Sequence, residues 1–145
     1  MNDLVIRRAL LADAEAICTL SRDELGYAYP VEKTRVKLRA ALGNAAQAVF
    51  VAEQTGRVVG YIHAEDYNTL YADPMKNILG IAVCSACRKQ GIGKRLLEAV
   101  EQWAADTGAA GIRLSSGERR QDAHVFYERC GYTSTKMQKY FVKRL

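Results

Sequence analysis

The segment over positions 88–94 is the part of this sequence best suited to binding an anion. Its residues are, in order, Arg88, Lys89, Gln90, Gly91, Ile92, Gly93 and Lys94. It follows an apolar run that predicts a strand and opens a periodic run that predicts a helix, an arrangement that offers free backbone N–H groups to a phosphate. The glycines let the main chain approach such a group closely, and the basic side chains add positive charge. The sequence therefore predicts a pyrophosphate-bearing ligand at this loop.

Two common phosphate-binding motifs do not match this loop. The dinucleotide fingerprint G-x-G-x-x-G requires a glycine where this chain has Leu96, and the P-loop requires Ser or Thr where it has Arg95. The remaining alternative to a phosphate site is an ordinary turn between a strand and a helix, which the loop alone does not exclude.

A second segment, one strand and one helix further along the chain, favours a phosphate-binding loop over an ordinary turn. Residues 123–132 read AHVFYERCGY, and together with the loop they make the chain resemble the GNAT superfamily of acetyl-CoA-dependent N-acetyltransferases. The family's loop pattern, R/Q-x-x-G-x-G/A, is matched by Arg88, Gly91 and Gly93. Its later helix pattern, A-x-x-F/L-Y-E-x-x-G-F/Y, is matched by Ala123, Phe126, Tyr127, Glu128, Gly131 and Tyr132. Residues 6–17 also look like the family's first strand and helix, so the resemblance covers nearly the whole chain.

The resemblance implies transfer of an acetyl group from acetyl-CoA to a primary amine of a small molecule, by direct attack in a ternary complex. Acetyl-CoA is the implied co-substrate, and no metal is implied. Backbone groups of Ile81 and Val83 would bond the pantetheine arm, and the N–H groups of residues 88–93 would hold the pyrophosphate, with Lys94 and Arg120 beside the cofactor. Tyr127 would donate a proton to the sulfur of coenzyme A. The alternative role for Tyr127 is that of a core aromatic residue.

The general base is not assigned by the sequence, because residues 77–80 lack the carboxylate that many relatives carry on the central strand. His63, His124 and Glu118 are candidates, and a water relay or an acceptor that arrives as the neutral amine is equally consistent with the sequence. The resemblance places the acceptor pocket beside the first two helices and the linker between the third and fourth strands. The aromatic residues there, whose faces suit an ammonium group or a flat ring, are Tyr27, Tyr29, Tyr67 and Tyr71.

Arg120 departs from the asparagine that many relatives carry three residues before the matched alanine. With Ser115 and Ser116 ahead of it, this last third of the chain is similar to a subgroup that includes the aminoalkylphosphonate N-acetyltransferases. Arg120 would then face an anionic group of coenzyme A or of the acceptor, or form part of an exposed basic turn. Two other functions remain as alternatives: a protein or peptide N-acetyltransferase, and a non-catalytic acyl-CoA-binding regulatory domain.

Composition and charge limit the possible binding partners and the expected cellular compartment of the protein. The 145 residues carry 21 basic and 16 acidic side chains, a net charge of +5, but the basic residues are scattered and predict no nucleic-acid partner. The longest apolar runs are too short to span a bilayer and no secretory signal is visible, so we expect a cytoplasmic protein that does not bind membranes. Cys84 and Cys87 form a C-x-x-C pair without a second pair of ligands, so we expect reduced thiols and no metal. Folds of this kind commonly dimerise, which leaves a homodimer open.

Hydrophobic periodicity predicts an α/β fold in a single domain over residues 1–145. Helices are expected over residues 12–25, 31–42, 93–107 and 119–130, and strands over 4–10, 48–53, 58–64, 77–84 and 111–116. The stretch 65–76 is predicted to be a loop, and the tail 132–145 to supply one or two final strands. The order βααβββαβαββ predicts a GNAT-like, mixed and mostly antiparallel sheet of six to seven strands, with helices on both faces and, as the resemblance implies, a splay between the fourth and fifth strands. Gly80 is expected to mark a bulge in the fourth strand.

Overall fold

This computed structural model describes residues 3–145, in which the helices and strands follow the order βααβββαβα. The strands are β1 (Val5–Arg8), β2 (Gln47–Gln54), β3 (Arg57–Tyr67), β4 (Met75–Val83) and β5 (Ile112–Arg113). The helices are α1 (Ala14–Leu25), α2 (Val31–Leu42), α3 (Ile92–Asp106) and α4 (Gln121–Arg129). Short 3-10 turns span Leu11–Asp13 and Ser85–Cys87. Within these residues, no helix is both long and apolar enough to cross a membrane.

The strands form one mixed sheet in the order β1-β2-β3-β4-β5. Strands β1 to β4 are antiparallel to their neighbours, whereas β5 runs parallel to β4. The predicted mixed and mostly antiparallel sheet is therefore confirmed, but the predicted number of six to seven strands is wrong, because residues 3–145 contain five.

The strands that the sequence predicts but the structure lacks were expected in the tail, residues 132–145. The tail contains no strand. Large apolar side chains of the tail are exposed, including Met137, Tyr140 and Phe141. An alternating sequence becomes a strand only where a neighbouring strand accepts its backbone hydrogen bonds, and sequence periodicity does not report on that neighbour. This is why the pattern of the tail was a poor guide to its structure.

Backbone contacts group the chain into two compact units, one that ends at Leu114 and one that comprises Ser115–Leu145. The larger unit holds the whole sheet with α1, α2 and α3, and the smaller unit holds α4 and the tail. The single domain over residues 1–145 stays a prediction.

Alternate residues of the central strands face two different layers of helices. Val51 of β2 and Tyr61 of β3 belong to a buried cluster with Ile17 of α1 and Leu38 of α2. On the opposite face, a Cβ atom added to Gly60 of β3 would lie only 3.3 Å from Leu96 Cδ1 and 3.4 Å from Ile92 Cγ2, both on α3. Helices therefore cover both faces of the sheet.

Strands β3 and β4 extend into the stretch 65–76, which the sequence predicts to be a loop. β3 continues to Tyr67 and β4 begins at Met75, so the connection is confined to residues 68–74. Charged residues are disfavoured in strands, but here they satisfy one another: Lys76 Nζ lies 2.5 Å from Asp66 Oδ1 and 3.7 Å from the centre of the Trp103 ring. The ion pair between Asp66 of β3 and Lys76 of β4 explains why both strands run further than predicted.

Candidate active site

Strand β4 carries a bulge at Leu79, in the middle of the sheet. His63 of β3 pairs with Gly80, whereas Ala64 pairs with Ile78, so Leu79 is the extra residue and is half exposed. The predicted bulge near Gly80 is confirmed. One extra residue reverses the direction in which the following backbone N–H and C=O groups point. The bulge therefore decides which residues of β4 face the neighbouring strand.

Beyond the bulge, the backbone of β4 has an open edge on the side of β5. Within the described chain, β5 pairs only with Lys76 and Asn77 of β4, so the two strands do not run side by side further along. The N–H of Cys84 donates to Val59 O of β3 at 2.8 Å. Since successive residues of a strand point to opposite neighbours, Ile81 and Val83 direct their backbone polar groups away from β3. The residues predicted to bond pantetheine thus lie on the open edge.

The loop after β4 turns sharply through two residues with positive φ. These are Lys89, with φ of +66°, and Gly91, with φ of +78°. Gly91 precedes α3, and the first hydrogen bond of that helix joins Arg95 N–H to Gly91 O at 3.1 Å. The N–H groups ahead of Arg95 have no acceptor within the helix and lie at the positive end of its dipole. A Cβ atom on Gly91 would meet nothing within 4 Å, so the backbone conformation, and not lack of space, requires glycine here.

The basic side chains at the loop differ in their partners. The guanidinium of Arg88 bonds Glu24 Oε1 of α1 at 2.9 Å, and Arg95 Nη1 donates to Leu4 O at 3.1 Å. Lys89 and Lys94 are exposed. Positive charge that can turn toward an anion at the loop is therefore carried by the two lysines, while Arg88 is engaged by the Glu24 carboxylate and Arg95 by the backbone of Leu4.

Glu24 is a site residue that the sequence did not reveal. Its carboxylate accepts hydrogen bonds from the N–H of Ser85 at 3.1 Å, from Ser85 Oγ at 2.8 Å and from Arg88 at 2.9 Å. The Glu24 side chain is only 10% exposed, and its bond with the charged guanidinium of Arg88 is stronger than a hydrogen bond between neutral groups. Because Ser85 and Arg88 lie 61 and 64 positions from Glu24, no local pattern marks this contact.

A cavity of about 560 Å³ lies beside the end of α1 and the turn that follows it. It is lined by Cys18, Ser21, Gly26, Tyr27, Ala28, Tyr29 and Thr34. Two of the four tyrosines predicted for an acceptor pocket, Tyr27 and Tyr29, are thus brought together. The other two are elsewhere: the ring of Tyr67 lies 4.3 Å from the guanidinium carbon of Arg113, and Tyr71 is exposed in the connection between β3 and β4.

His63 lies on the face of β3 that packs toward α1 and α2, since it pairs with Val49, a member of the buried cluster on that face. Its Nε2 atom is 2.7 Å from Gln47 Oε1. Burial lowers the pKa of the His63 imidazole, against the opposing effect of Glu65. The ring is therefore neutral at neutral pH and retains a lone pair that can take a proton.

In the smaller unit, Tyr127 lies on a half-buried side of α4. Its ring centre is 5.3 Å from that of Phe126 and 6.2 Å from that of Tyr132. Burial raises the pKa of the Tyr127 phenol and outweighs the lowering effect of Arg120. The phenol therefore keeps its proton at neutral pH, which a general acid requires.

The other predicted candidates in the smaller unit are Arg120, Glu118 and His124. Arg120 precedes α4 and is exposed, as is Glu118. His124 is half buried, and its Nε2 atom lies 2.9 Å from Gly117 O.

The cysteines and acidic residues are the side chains that could form a metal site. Among the described residues, Cys18, Cys84, Cys87 and Cys130 are not joined in disulfide bonds. Over residues 3–145, no group of three or more histidine, cysteine, aspartate and glutamate side chains is arranged to hold a metal ion.

Comparison with known proteins gives one family match, two related sequences and one solved structure of the same fold. A model of the acetyltransferase (GNAT) family matches residues 14–132. An aminoglycoside N(6')-acetyltransferase type 1 from Stenotrophomonas maltophilia is 30% identical, covering 94% of this chain and 90% of the relative. An aminoalkylphosphonate N-acetyltransferase from Salmonella typhimurium is 31% identical, covering 97% of this chain and 90% of the relative. Among solved structures, an aminoglycoside N-acetyltransferase in complex with CoA shares the fold, with a TM-score of 0.88 at 19% identity over 100% of this chain and 97% of that one.

Proposed function

The chain belongs to the acetyltransferase (GNAT) family, and on that basis we propose that it transfers the acetyl group of acetyl-CoA to a primary amine of a small molecule. The amine attacks directly in a ternary complex. Relatives that are named for aminoglycosides and for aminoalkylphosphonates support a small acceptor. The observation that carries the proposal is the open edge of β4, which leads from the bulge at Leu79 to the glycine loop.

The cofactor is proposed to lie along that edge and end at the loop. The pantetheine amides bond the backbone of Ile81 and Val83, as an added strand would. The pyrophosphate oxygens accept hydrogen bonds from the backbone N–H groups between Arg88 and Gly93, including those of Gln90 and Ile92. Lys89 and Lys94 supply mobile positive charge. Arg88 binds the cofactor through its backbone, since its side chain is held by Glu24. Arg120 is proposed to add positive charge near the cofactor or the acceptor.

The chemistry requires a neutral amine and a protonated leaving group. The nitrogen lone pair forms a C–N bond to the thioester carbonyl, and a backbone N–H stabilises the oxyanion that results. Collapse of this intermediate breaks the C–S bond, and Tyr127 donates its proton to the departing sulfur. The proton lost by the amine passes to a base, and solvent restores the proton of Tyr127.

His63 has the strongest support as that base, acting directly or through water. It pairs with Gly80 at the bulge, and its lowered pKa leaves the imidazole free to accept a proton at neutral pH. His124 and Glu118 remain alternatives from the smaller unit. The last third of the chain resembles the aminoalkylphosphonate N-acetyltransferases, which favours an acceptor that carries an anionic group. Arg120 would contact that group.

The proposed function is tested by measuring free thiol released from acetyl-CoA with a panel of acceptors. The panel contains sisomicin, 2-aminoethylphosphonate, spermidine, a peptide with a free N-terminus and buffer alone. We expect release with at least one small amine and none above the buffer rate with the peptide. Release with the peptide alone would assign the protein to peptide acetylation. Tight acetyl-CoA binding without release for any acceptor would indicate a non-catalytic acyl-CoA-binding domain.

Glu24 offers a separate test of the loop. We expect Glu24→Ala to raise the Kd of acetyl-CoA by about 5- to 10-fold, because three hydrogen bonds that order the start of the loop are lost. Isothermal titration calorimetry measures the effect. Asp23→Ala is the matched control: the same helix loses a carboxylate, but the partner of Asp23 is Arg22, and both side chains are exposed. Equal affinities of the two variants would show that Glu24 does not position the loop.

A further inference from the structure

A hydrogen-bonded pair, Ser21 and Tyr61, joins the cavity beside α1 to the bulge in β4. Ser21 lines the cavity, and its Oγ atom lies 2.7 Å from Tyr61 Oη. On its other side, the same phenol oxygen would lie 3.6 Å from a Cβ atom built on Gly80. Tyr61 is 8% exposed and belongs to the buried cluster under α1 and α2. Neither side chain has a part in the chemistry described above.

The surrounding bonds fix the direction of the Tyr61 proton. Ser21 Oγ also lies 2.9 Å from Ile17 O, a backbone carbonyl that can only accept. The single proton of the Ser21 hydroxyl is therefore directed to Ile17, and Tyr61 must be the donor in the bond between the two hydroxyls. Burial raises the pKa of the Tyr61 phenol, so the proton is present at neutral pH.

With its proton directed to Ser21, the Tyr61 oxygen can only accept a further hydrogen bond. The Tyr61 oxygen lies beside Gly80, which has no side chain and follows the bulged residue Leu79 in β4. A ligand group that fits there must be a hydrogen-bond donor. An amine provides such a donor, and once neutral it still keeps its own lone pair for attack.

We propose that Tyr61 Oη accepts a hydrogen bond from the nitrogen of the acceptor amine and holds it at the bulge, and that Ser21 is a positioning residue that orients the Tyr61 proton away from the acceptor. The proposal rests on the proposed function, because it concerns the acceptor of that same transfer. Ser21 belongs to the wall of the cavity beside α1, and its hydroxyl bonds Tyr61 Oη.

The test uses the full chain, acetyl-CoA and whichever small amine of the panel releases thiol fastest with the unaltered protein. We expect Tyr61→Phe to raise the KM of that amine by about 5- to 30-fold, since one hydrogen bond to a charged or reacting nitrogen is lost. The KM of acetyl-CoA should stay the same. Tyr140→Phe, which removes a hydroxyl from an exposed ring in the tail, should change neither value.

Ser21→Ala supplies the second measurement. It frees the Tyr61 proton to point at the amine, so we expect a smaller rise in the KM of the amine. The double variant Ser21→Ala/Tyr61→Phe should match Tyr61→Phe alone, because Ser21 acts through the phenol. Additive effects, an unchanged KM for the amine in Tyr61→Phe, or an equal rise in the KM of acetyl-CoA would overturn the inference. Absence of turnover by the unaltered protein would instead contradict the proposed function.

Discussion

Replacing Tyr127 by phenylalanine should lower kcat by about 10²- to 10⁴-fold, the range over which general acids contribute to catalysis, while acetyl-CoA binding stays intact. The phenylalanine ring keeps the contacts with Phe126 and Tyr132, so the variant loses the proton donor and little packing. Without that donor the sulfur must leave as a thiolate. Thiol release at saturating substrates measures kcat, and calorimetry measures the Kd of acetyl-CoA.

The control for this prediction is Tyr132→Phe, which removes a hydroxyl from the neighbouring ring. The family pattern that the chain resembles accepts phenylalanine at this position, so we expect near-normal turnover. The pH profile gives a further readout: because burial raises the pKa of Tyr127, activity that depends on its proton should be lost only as the pH rises above the usual tyrosine pKa of about 10. Normal turnover by Tyr127→Phe would remove this residue from the mechanism.

Gly91→Ala should weaken acetyl-CoA binding by about tenfold or more, equivalent to about 1.4 kcal/mol or more of binding free energy. The φ of Gly91 is +78°, and an L-residue pays roughly 1–2 kcal/mol to adopt that conformation. The loop relieves the strain by turning, and the N–H groups at the start of α3 then no longer converge on the pyrophosphate. Calorimetry measures the loss of affinity for acetyl-CoA, and a thermal melt of the free protein measures the loss of stability.

Gly108→Ala is the matched control for backbone strain. Gly108 follows the other end of α3, has φ of +74° and has no atom within 4 Å of an added Cβ, as at Gly91. Both variants should lose similar stability, but only Gly91→Ala should lose affinity for acetyl-CoA. If Gly108→Ala weakened binding equally, the loss would reflect general destabilisation and not the geometry of the loop.

Local signals explain which predictions succeeded. The loop between β4 and α3 is predicted by the spacing of Arg88, Gly91 and Gly93, and the helix after it by an apolar stripe whose members Leu96 and Val100 are fully buried. Binding of an anion at this loop stays a prediction. These features span a few residues, so their physical causes, backbone freedom at glycine and burial of one helix face, are present in the sequence itself. The same holds for the bulge expected near Gly80.

Predictions that depended on distant partners were less successful. The tail 132–145 has an alternating pattern, but it forms no strand. Strands β3 and β4 ran beyond their predicted ends, because Asp66 and Lys76 compensate each other's charge. Strand propensity describes a single segment, whereas strand pairing depends on two segments.

The sequence by itself determined the order of helices and strands as far as α4, the glycine loop and the family, because each is encoded by neighbouring residues. Only the tertiary structure decided that Glu24 bonds the loop across 61 and 64 positions and that Ser21 bonds Tyr61 across 40. Such contacts form when packing of α1 on the sheet brings polar groups together away from water. No period or motif along the chain records which of many possible partners that packing selects.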